Sequence, residues 1–204
     1  HALLLMFARY YNVITPEAFV ERKFDTKKIN ILLTFDDGYQ SWIDTVVPEL
    51  DEFSFKGLFF INSGLLDISS DTEAVEKFMR TQLHRTPKRA LTWEGAKTVV
   101  EKGHTVGGHT VTHVNLAVLD KDTCKNEIEY DQGALKEKLR VPMVHFAYPF
   151  GRKEHFNKDV VSAVTAQYAY AYTAESSFVS FEDRNQIPWQ YNIPAIGAAV
   201  LVWG

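Results

Sequence analysis

Two apolar runs that end in polar side chains are the clearest elements of this chain. Residues 31–35 are Ile, Leu, Leu, Thr and Phe, and two aspartates follow them directly. Residues 57–61 are similarly apolar and are followed by Asn62. Continuous apolar runs of this length are typical of strands that are buried on both faces of a parallel sheet. The pattern therefore predicts two buried strands with polar side chains at their carboxyl ends.

Helical patterns separate the predicted strands. After the first strand, apolar side chains recur at helical spacing, and Pro48 within that run predicts a kink or a break. Further helices are predicted where a side chain that can cap the backbone precedes a helical pattern, at Thr15, Thr92, Asp120 and Asn157.

The remaining segments complete an alternating order. Strands are predicted within 144–148 and 168–172, residues 2–7 resemble a first buried strand, and the tail 195–203 resembles a core or edge strand. Residues 63–90 are the least regular segment and are expected to cover one side of the site. Strands that alternate with helices predict an α/β fold with a parallel sheet.

Composition is typical of one enzyme domain that spans residues 1–204. The chain has 204 residues, of which 46% are hydrophobic, enough for one large core. Its net charge of −4 is no reason to expect nucleic-acid binding. The single cysteine, Cys124, excludes an internal disulfide. No leader is visible, no apolar run is long enough for a transmembrane segment, and nothing indicates the oligomeric state.

Four side chains of the types that bind metal ions occur in two short motifs. Asp36 and Asp37 follow the first predicted strand, and His109 and His113 lie later in the chain. Two imidazoles and one carboxylate leave an open position on a divalent ion, where water can sit. A second carboxylate beside that water can take its proton. Together the motifs predict metal-assisted hydrolysis at the carboxyl ends of the strands, where α/β folds carry their chemistry.

The spacing within each motif leads to an expectation about its geometry. Side chains alternate along a strand, so Asp36 and Asp37 are expected to diverge, one toward the metal and one toward the water. His109 and His113 are expected on one face of a helical turn. The glycines at 107–108 are expected to give the backbone the freedom to present them.

Each motif alone has a more ordinary interpretation. Asp-Asp-Gly is most often a turn, and His-x-x-x-His without the glutamate of the zincin pattern is a weak signal. An isolated histidine is more often a hydrogen-bonded structural residue. The occurrence of both motifs in one chain, each after a predicted strand, favours the metal site.

Three segments of the chain resemble the motifs of a known family. Thr-Phe-Asp-Asp-Gly at 34–38, the segment 103–113 that ends His-Thr-Val-Thr-His, and Phe-Ala-Tyr-Pro-Phe-Gly at 146–151 resemble, in order, three motifs of polysaccharide deacetylases with the NodB homology domain, carbohydrate esterase family 4. The resemblance implies an irregular (β/α)7-type barrel, with about seven strands instead of the eight of the larger barrel type.

The resemblance also implies roles for individual residues. Asp36 would be the general base. Asp37, His109 and His113 would be ligands to zinc or a similar divalent ion. The backbone N–H of Phe150 would help to bind the oxyanion.

Several positions depart from the family pattern. Ala147 stands where many members have an arginine that orients the base, and no histidine follows His155 to act as general acid. Residues 6–9 carry no histidine at the place where some relatives have one, and the fourth motif is not recognisable around 171–174. The general acid and the group that orients the base are therefore unassigned.

The resemblance implies removal of N-acetyl or O-acetyl groups from a polysaccharide or other sugar. The expected partner is an N-acetylated carbohydrate, with Trp93, Tyr148 and Phe150 as candidate aromatics of the groove, although aromatic side chains occur more often in cores. Two alternatives stay open: hydrolysis of another carbon–nitrogen amide bond, in a small cyclic amide or a formyl group, and metal and sugar binding without turnover. The family favours the cell envelope or secretion, and a cytoplasmic location stays open.

Overall fold

A curled seven-stranded sheet forms the centre of the protein. The computed structural model describes residues 1–181, 189–195 and 199–203. The strands are β1 Asn12–Val13, β2 Ile29–Phe35, β3 Gly57–Ile61, β4 Thr105–Gly108, β5 His145–Ala147, β6 Tyr170–Tyr172 and β7 Ala199–Trp203. Strands β1 to β6 pair in chain order and are parallel, and β7 pairs antiparallel with β2. The predicted α/β barrel-type fold of the NodB class is confirmed, with the sheet curled as a half-barrel.

Helix α1 precedes β1, and the other helices lie between successive strands of the parallel part of the sheet. They are α1 Ala2–Tyr10, α2 Pro16–Val20, α3 Val47–Glu52, α4 Ser63–Asp67, α5 Thr72–Thr81, α6 Trp93–Glu101, α7 Lys121–Leu139 and α8 Lys158–Thr165. The four predicted capping side chains accept backbone N–H bonds at the starts of α2, α6, α7 and α8. The helical segment does not break at Pro48: a π-helical turn at Trp42–Val46 leads directly into α3, and Pro48 lies in the first turn of α3, where its missing N–H is tolerated.

The first segment was predicted incorrectly. Residues 2–7 belong to α1, and none of the residues of α1 is buried. Ala, Leu and Met have high helix propensities. Nothing in the segment provides the β-branched or aromatic alternation of a strand. Leu4 and Phe7 pack against the core, whereas Leu3 and Leu5 are exposed.

The segment 63–90 is also more regular than expected, since it contains α4 and α5. Asp71 caps α5 by accepting the N–H of Ala74 at 3.1 Å. Val75, Phe78 and Met79 are buried at helical spacing and pack around Leu65. The tail prediction is confirmed over β7, while residues 196–198 lie outside the described residues.

Apolar side chains of the central strands fix the edge of the sheet that carries the polar residues. Phe59 of β3 stacks on Phe35 of β2 at a centroid distance of 4.7 Å and contacts Trp42 at 4.9 Å. Because β2, β3 and β4 are parallel, their carboxyl ends lie at one edge. Among the described residues, no helix is long and apolar enough to cross a membrane.

Candidate metal centre

Asp37, His109 and His113 lie together at the carboxyl edge of the sheet. Oδ1 of Asp37 is 3.6 Å from Nε2 of His109 and 3.5 Å from Nε2 of His113. One potential ligand atom from each residue lies within 4.8 Å of the other two. A divalent ion bound by one carboxylate oxygen and two imidazole nitrogens needs such a cluster.

A backbone carbonyl fixes the orientation of His109. Its Nδ1 donates to the carbonyl oxygen of Ala147 at 2.8 Å, so the lone pair of the neutral ring is on Nε2, which faces Asp37. Histidines that bind metals characteristically donate their second ring nitrogen in this way. The donor set therefore fits a divalent ion, and Ala147 contributes through its backbone although it lacks the arginine side chain of the family.

The two histidines do not lie on a helical turn, contrary to the sequence expectation. Residues 109–113 form an irregular loop in which Thr110 and His113 have φ values of 66° and 55°. Oγ1 of Thr110 accepts the N–H of His113 at 3.0 Å. Glu127 of α7 accepts the N–H of Thr112 at 2.9 Å. These side chains replace the hydrogen bonds of a helix and let both imidazoles reach one point.

A buried polar network supports the loop from beneath. The carboxylate of Asp131 accepts the N–H of Ser63 at 2.9 Å and the N–H of His109 at 3.0 Å. The amide of Asn62 donates to the carbonyls of His109 and Thr110. Asp131 is fully buried. Burial raises its pKa to about 7, although the hydrogen bonds from Ser63 and His109 oppose the rise.

Sequence analysis missed Asp131, but a signal for it exists. It lies on the inward face of α7, three residues after Ile128 and four before Leu135, both of which are buried. A carboxylate within an apolar helical stripe needs buried hydrogen-bond partners. That pattern could have identified it as a structural support.

The glycines before His109 serve close packing rather than freedom of the backbone. A Cβ at Gly108 would collide with the hydroxyl of Tyr168 and the carboxylate of Asp131. A Cβ at Gly107 would lie 2.7 Å from the carbonyl oxygen of His145. Glycine thus lets β4 approach the network that supports His109.

Asp36 and Asp37 leave the strand in different conformations. Strand β2 ends at Phe35, and Asp37 has a φ of 84°, so strand alternation is not what separates the two carboxylates. Both line one cavity of about 260 Å³. Asp36 remains exposed to that cavity, whereas Asp37 is mostly covered.

The electrostatics of the two aspartates differ. Asp36 opens onto the cavity, but the protein atoms around it displace much of its water, and this desolvation raises its pKa; the charge of His109 opposes the rise and that of Asp37 adds to it. Burial also raises the pKa of Asp37, but contacts with His109, His113 and Tyr39 outweigh it and bring that pKa below its usual value. Asp37 is therefore the better anionic ligand, and Asp36 the carboxylate with the greater affinity for a proton.

The histidines respond in opposite directions. Burial lowers the pKa of His109, but the two aspartates and the Ala147 carbonyl raise it above the usual value. Burial and the charge of His109 lower the pKa of His113 to about 4, which keeps that imidazole neutral. A neutral imidazole is the form that binds a metal.

Aromatic rings form one side of the cavity. Phe150, whose φ is 61°, lies with its ring centroid 4.6 Å from that of His113. The ring centroids of His155 and His84 lie 5.1 and 6.1 Å from that of Phe150. Tyr148 also lines the cavity, but its hydroxyl is turned toward the carbonyl of Tyr191.

Trp93, the third aromatic candidate, does not line the cavity. Its ring nitrogen donates to Asp67 at 2.9 Å. The cavity wall does contain a cation that sequence analysis did not single out, Arg85, from the segment after α5.

Comparison with known proteins places this geometry in a family. The family model described as "Polysaccharide deacetylase" matches residues 23–172. The chain belongs to the polysaccharide deacetylase family. The match includes the two aspartates, both histidines and the Phe150 motif.

One curated relative matches part of this polysaccharide deacetylase family member. A peptidoglycan-N-acetylglucosamine deacetylase from Bacillus cereus is 28% identical over 102 residues, which are 50% of this chain and 29% of that protein. The chain thus spans less than a third of that curated relative.

Two solved structures show the same fold. The deacetylase PplD of Streptococcus pyogenes, in complex with acetate, has a TM-score of 0.72 at 21% identity, over 91% of this chain and 73% of that one. BC0361, a polysaccharide deacetylase from Bacillus cereus, has a TM-score of 0.67 at 20% identity, over 93% and 52%.

Proposed function

We propose that residues 1–204 form a catalytic domain that hydrolyses the acetamide of an N-acetylated sugar in a polysaccharide. The observation that carries the proposal is the convergence of Asp37, His109 and His113 in a cavity that also holds Asp36. Three ligand side chains and one further carboxylate are the groups that metal-assisted hydrolysis requires.

Asp37, His109 and His113 would hold one divalent ion. Zinc suits this ligand set, because it accepts mixed nitrogen and oxygen ligands and leaves a position open with three protein groups. When bound, such an ion would polarise the acetamide carbonyl and make a nearby water more acidic. The hydrogen bond from His109 to Ala147 and the neutral state of His113 support this assignment.

Asp36 would act as the general base. Its carboxylate faces the cavity, is not part of the ligand cluster, and has a raised pKa. A base with a raised pKa takes a proton from water more readily than an ordinary aspartate does. The backbone N–H of Phe150, which also lines the cavity, would donate a hydrogen bond to the oxyanion as it forms.

A carbohydrate substrate is supported by the family and by the Bacillus cereus relative, which is a peptidoglycan-N-acetylglucosamine deacetylase. A substrate of that kind would place the protein in the cell envelope or outside the cell. The ring of Phe150 in the cavity wall would pack against a sugar ring, whereas Tyr148 is buried and its ring stacks on Phe156.

The test is release of acetate from partly acetylated glucosamine oligomers, measured with the metal-free protein and after addition of zinc. We expect release only with the ion, and none from an Asp37→Ala variant with the ion. Turnover of small cyclic or formyl amides without acetate release would instead favour the other amide hydrolysis. Metal and oligomer binding without any turnover would contradict an enzymatic role.

A further inference from the structure

The segment between α5 and α6 concentrates positive charge beside the cavity. Arg85, Lys88 and Arg89 occur within five residues and are all exposed, in a chain whose net charge is −4. Arg85 lines the cavity that contains Asp36 and the three potential ligands. Lys88 and Arg89, three and four residues further along the chain, line another groove of about 550 Å³.

Short contacts join this segment to the loop after β2, which carries Asp36 and Asp37. Tyr39, two residues after Asp37, forms a β-bridge with Ala90. The N–H of Gln40 donates to the carbonyl of Arg89 at 3.0 Å. The charged segment is therefore anchored to the loop that carries the two aspartates.

Only one of the three cations pairs with an acidic side chain of the described residues. Arg89 pairs with Asp44, with Nη2 and Oδ2 2.5 Å apart. Within residues 1–181, 189–195 and 199–203, neither Arg85 nor Lys88 has a carboxylate at ion-pair distance. An exposed cation in the cavity wall that pairs with no carboxylate of the described residues is available to a ligand.

The position of Arg85 favours contact with the substrate over a structural role. Its exposed side chain lies in the wall of the cavity that also contains Asp36 and the three potential metal ligands. A guanidinium presents a planar fork of donors that matches a carboxylate or a phosphate. A neutral N-acetylated sugar has no such group.

We propose that the substrate is an anionic glycan: a carboxylate or phosphate on or next to the N-acetylated sugar binds Arg85, and Lys88 adds to the attraction. The inference rests on the proposed function and specifies the substrate class. The shared chemistry is an anionic oxygen group close to the acetamide. Arg85 would act on specificity, without touching the acetamide that is hydrolysed.

The experiment compares kcat/KM for three oligomers of equal length: neutral N-acetylglucosamine, the same backbone with a carboxylate on alternate sugars, and a phosphorylated form. We expect the wild-type protein to prefer an anionic oligomer, and the preferred anion distinguishes carboxylate from phosphate. Arg85→Gln should lower kcat/KM for that oligomer by about tenfold or more, mainly through KM, and hardly change it for the neutral one. Added salt should weaken the preference.

A matched control is Lys138→Gln. Lys138 is an exposed cation in the last turn of α7, which leads into the amino end of β5, away from the cavity. The Lys138→Gln variant should keep the wild-type preference for the anionic oligomer, whereas Lys88→Gln should reduce that preference. An equal loss for neutral and anionic oligomers in Arg85→Gln, or a wild-type protein without preference, would overturn the inference.

Binding measured by calorimetry separates this inference from the proposed function. The zinc-loaded protein should bind the preferred anionic oligomer about tenfold more tightly than the neutral one, and Arg85→Gln should remove that difference. Selective binding without acetate release would contradict the deacetylase proposal and leave the anion site supported. Acetate release without selective binding would contradict the anion site alone.

Discussion

The carboxylate of Asp131 accepts the backbone N–H of His109 at a distance of 3.0 Å. This bond joins the middle of α7 to the first histidine of the candidate metal centre. Through its second oxygen, Asp131 also accepts the N–H of Ser63, so one buried side chain ties together the ends of β3 and β4. The position of His109 therefore depends on a residue that does not itself line the cavity.

The raised pKa of Asp131 predicts a pH dependence of stability. Burial raises it from 3.8 to about 7 in the folded protein. Between these values the unfolded state binds fewer protons than the folded state, so the free energy of unfolding falls as the pH rises from 4 to 7. A shift of this size corresponds to roughly 4 kcal/mol. Urea unfolding of the metal-free protein at several pH values measures it.

Asp131→Asn is the control for that prediction, because asparagine does not titrate. Its free energy of unfolding should fall less between pH 4 and 7, even if the variant is less stable at every pH. The same pH dependence in both proteins would mean that Asp131 is ionised throughout this range.

His113→Ala should abolish both metal content and activity, because the ion would lose one of three protein ligands. Metal content measured by mass spectrometry on the folded variant checks this. His84→Ala is the matched control, since His84 also contacts Phe150 but lies outside the ligand cluster, and it should retain the ion. Full metal occupancy in His113→Ala would rule out the proposed ligand set.

Asp36→Asn should keep the ion and lose most of the rate. The amide preserves the shape of the side chain but cannot take a proton, and loss of a general base typically costs ~10²–10⁴-fold in rate. Asp37→Asn should instead weaken metal binding. If Asp36→Asn loses the ion while Asp37→Asn retains it, the two roles are reversed.

His155→Ala should leave the basic limb of the pH–rate profile unchanged. Nδ1 of His155 accepts the N–H of Arg152 at 3.2 Å, and His155 packs beside Phe150 without lining the cavity, so its ring is held within its own loop. A general acid would produce the basic limb, where it loses its proton. Disappearance of that limb in the variant would identify His155 as the acid for the leaving amine.

Sequence patterns predict those parts of the structure that local chemistry determines. The strand that ends before Asp36 follows from one apolar run, and the starts of four helices follow from single capping side chains. The ligand types in two short motifs indicated which side chains would meet. In each case the deciding interactions lie within a few residues along the chain.

The parts that were missed depend on contacts between distant residues. Asp131 is 22 residues from His109 and 68 from Ser63, so its place in an apolar helical stripe can mark it as a buried support but cannot show which groups it holds. The loop 109–113 departs from a helix because Glu127 and the Thr110 hydroxyl supply other partners. For α1, helix propensity was the informative signal, and apolar content alone suggested a strand.

Four residues in or beside the candidate centre adopt the left-handed backbone conformation: Asp37, Thr110, His113 and Phe150. Aspartate and histidine tolerate this region better than most residues, whereas a β-branched threonine rarely occupies it. Such conformations cost about 1–3 kcal/mol each. Glycine at His113 would relieve this strain while removing an imidazole.

At these positions selection for stability therefore favours glycine, whereas selection for activity favours the side chain that is present. A descendant of this protein that no longer needed turnover could gain thermal tolerance by acquiring glycine there. Directed evolution for heat resistance alone would be expected to erode these positions first, so an activity screen must accompany it.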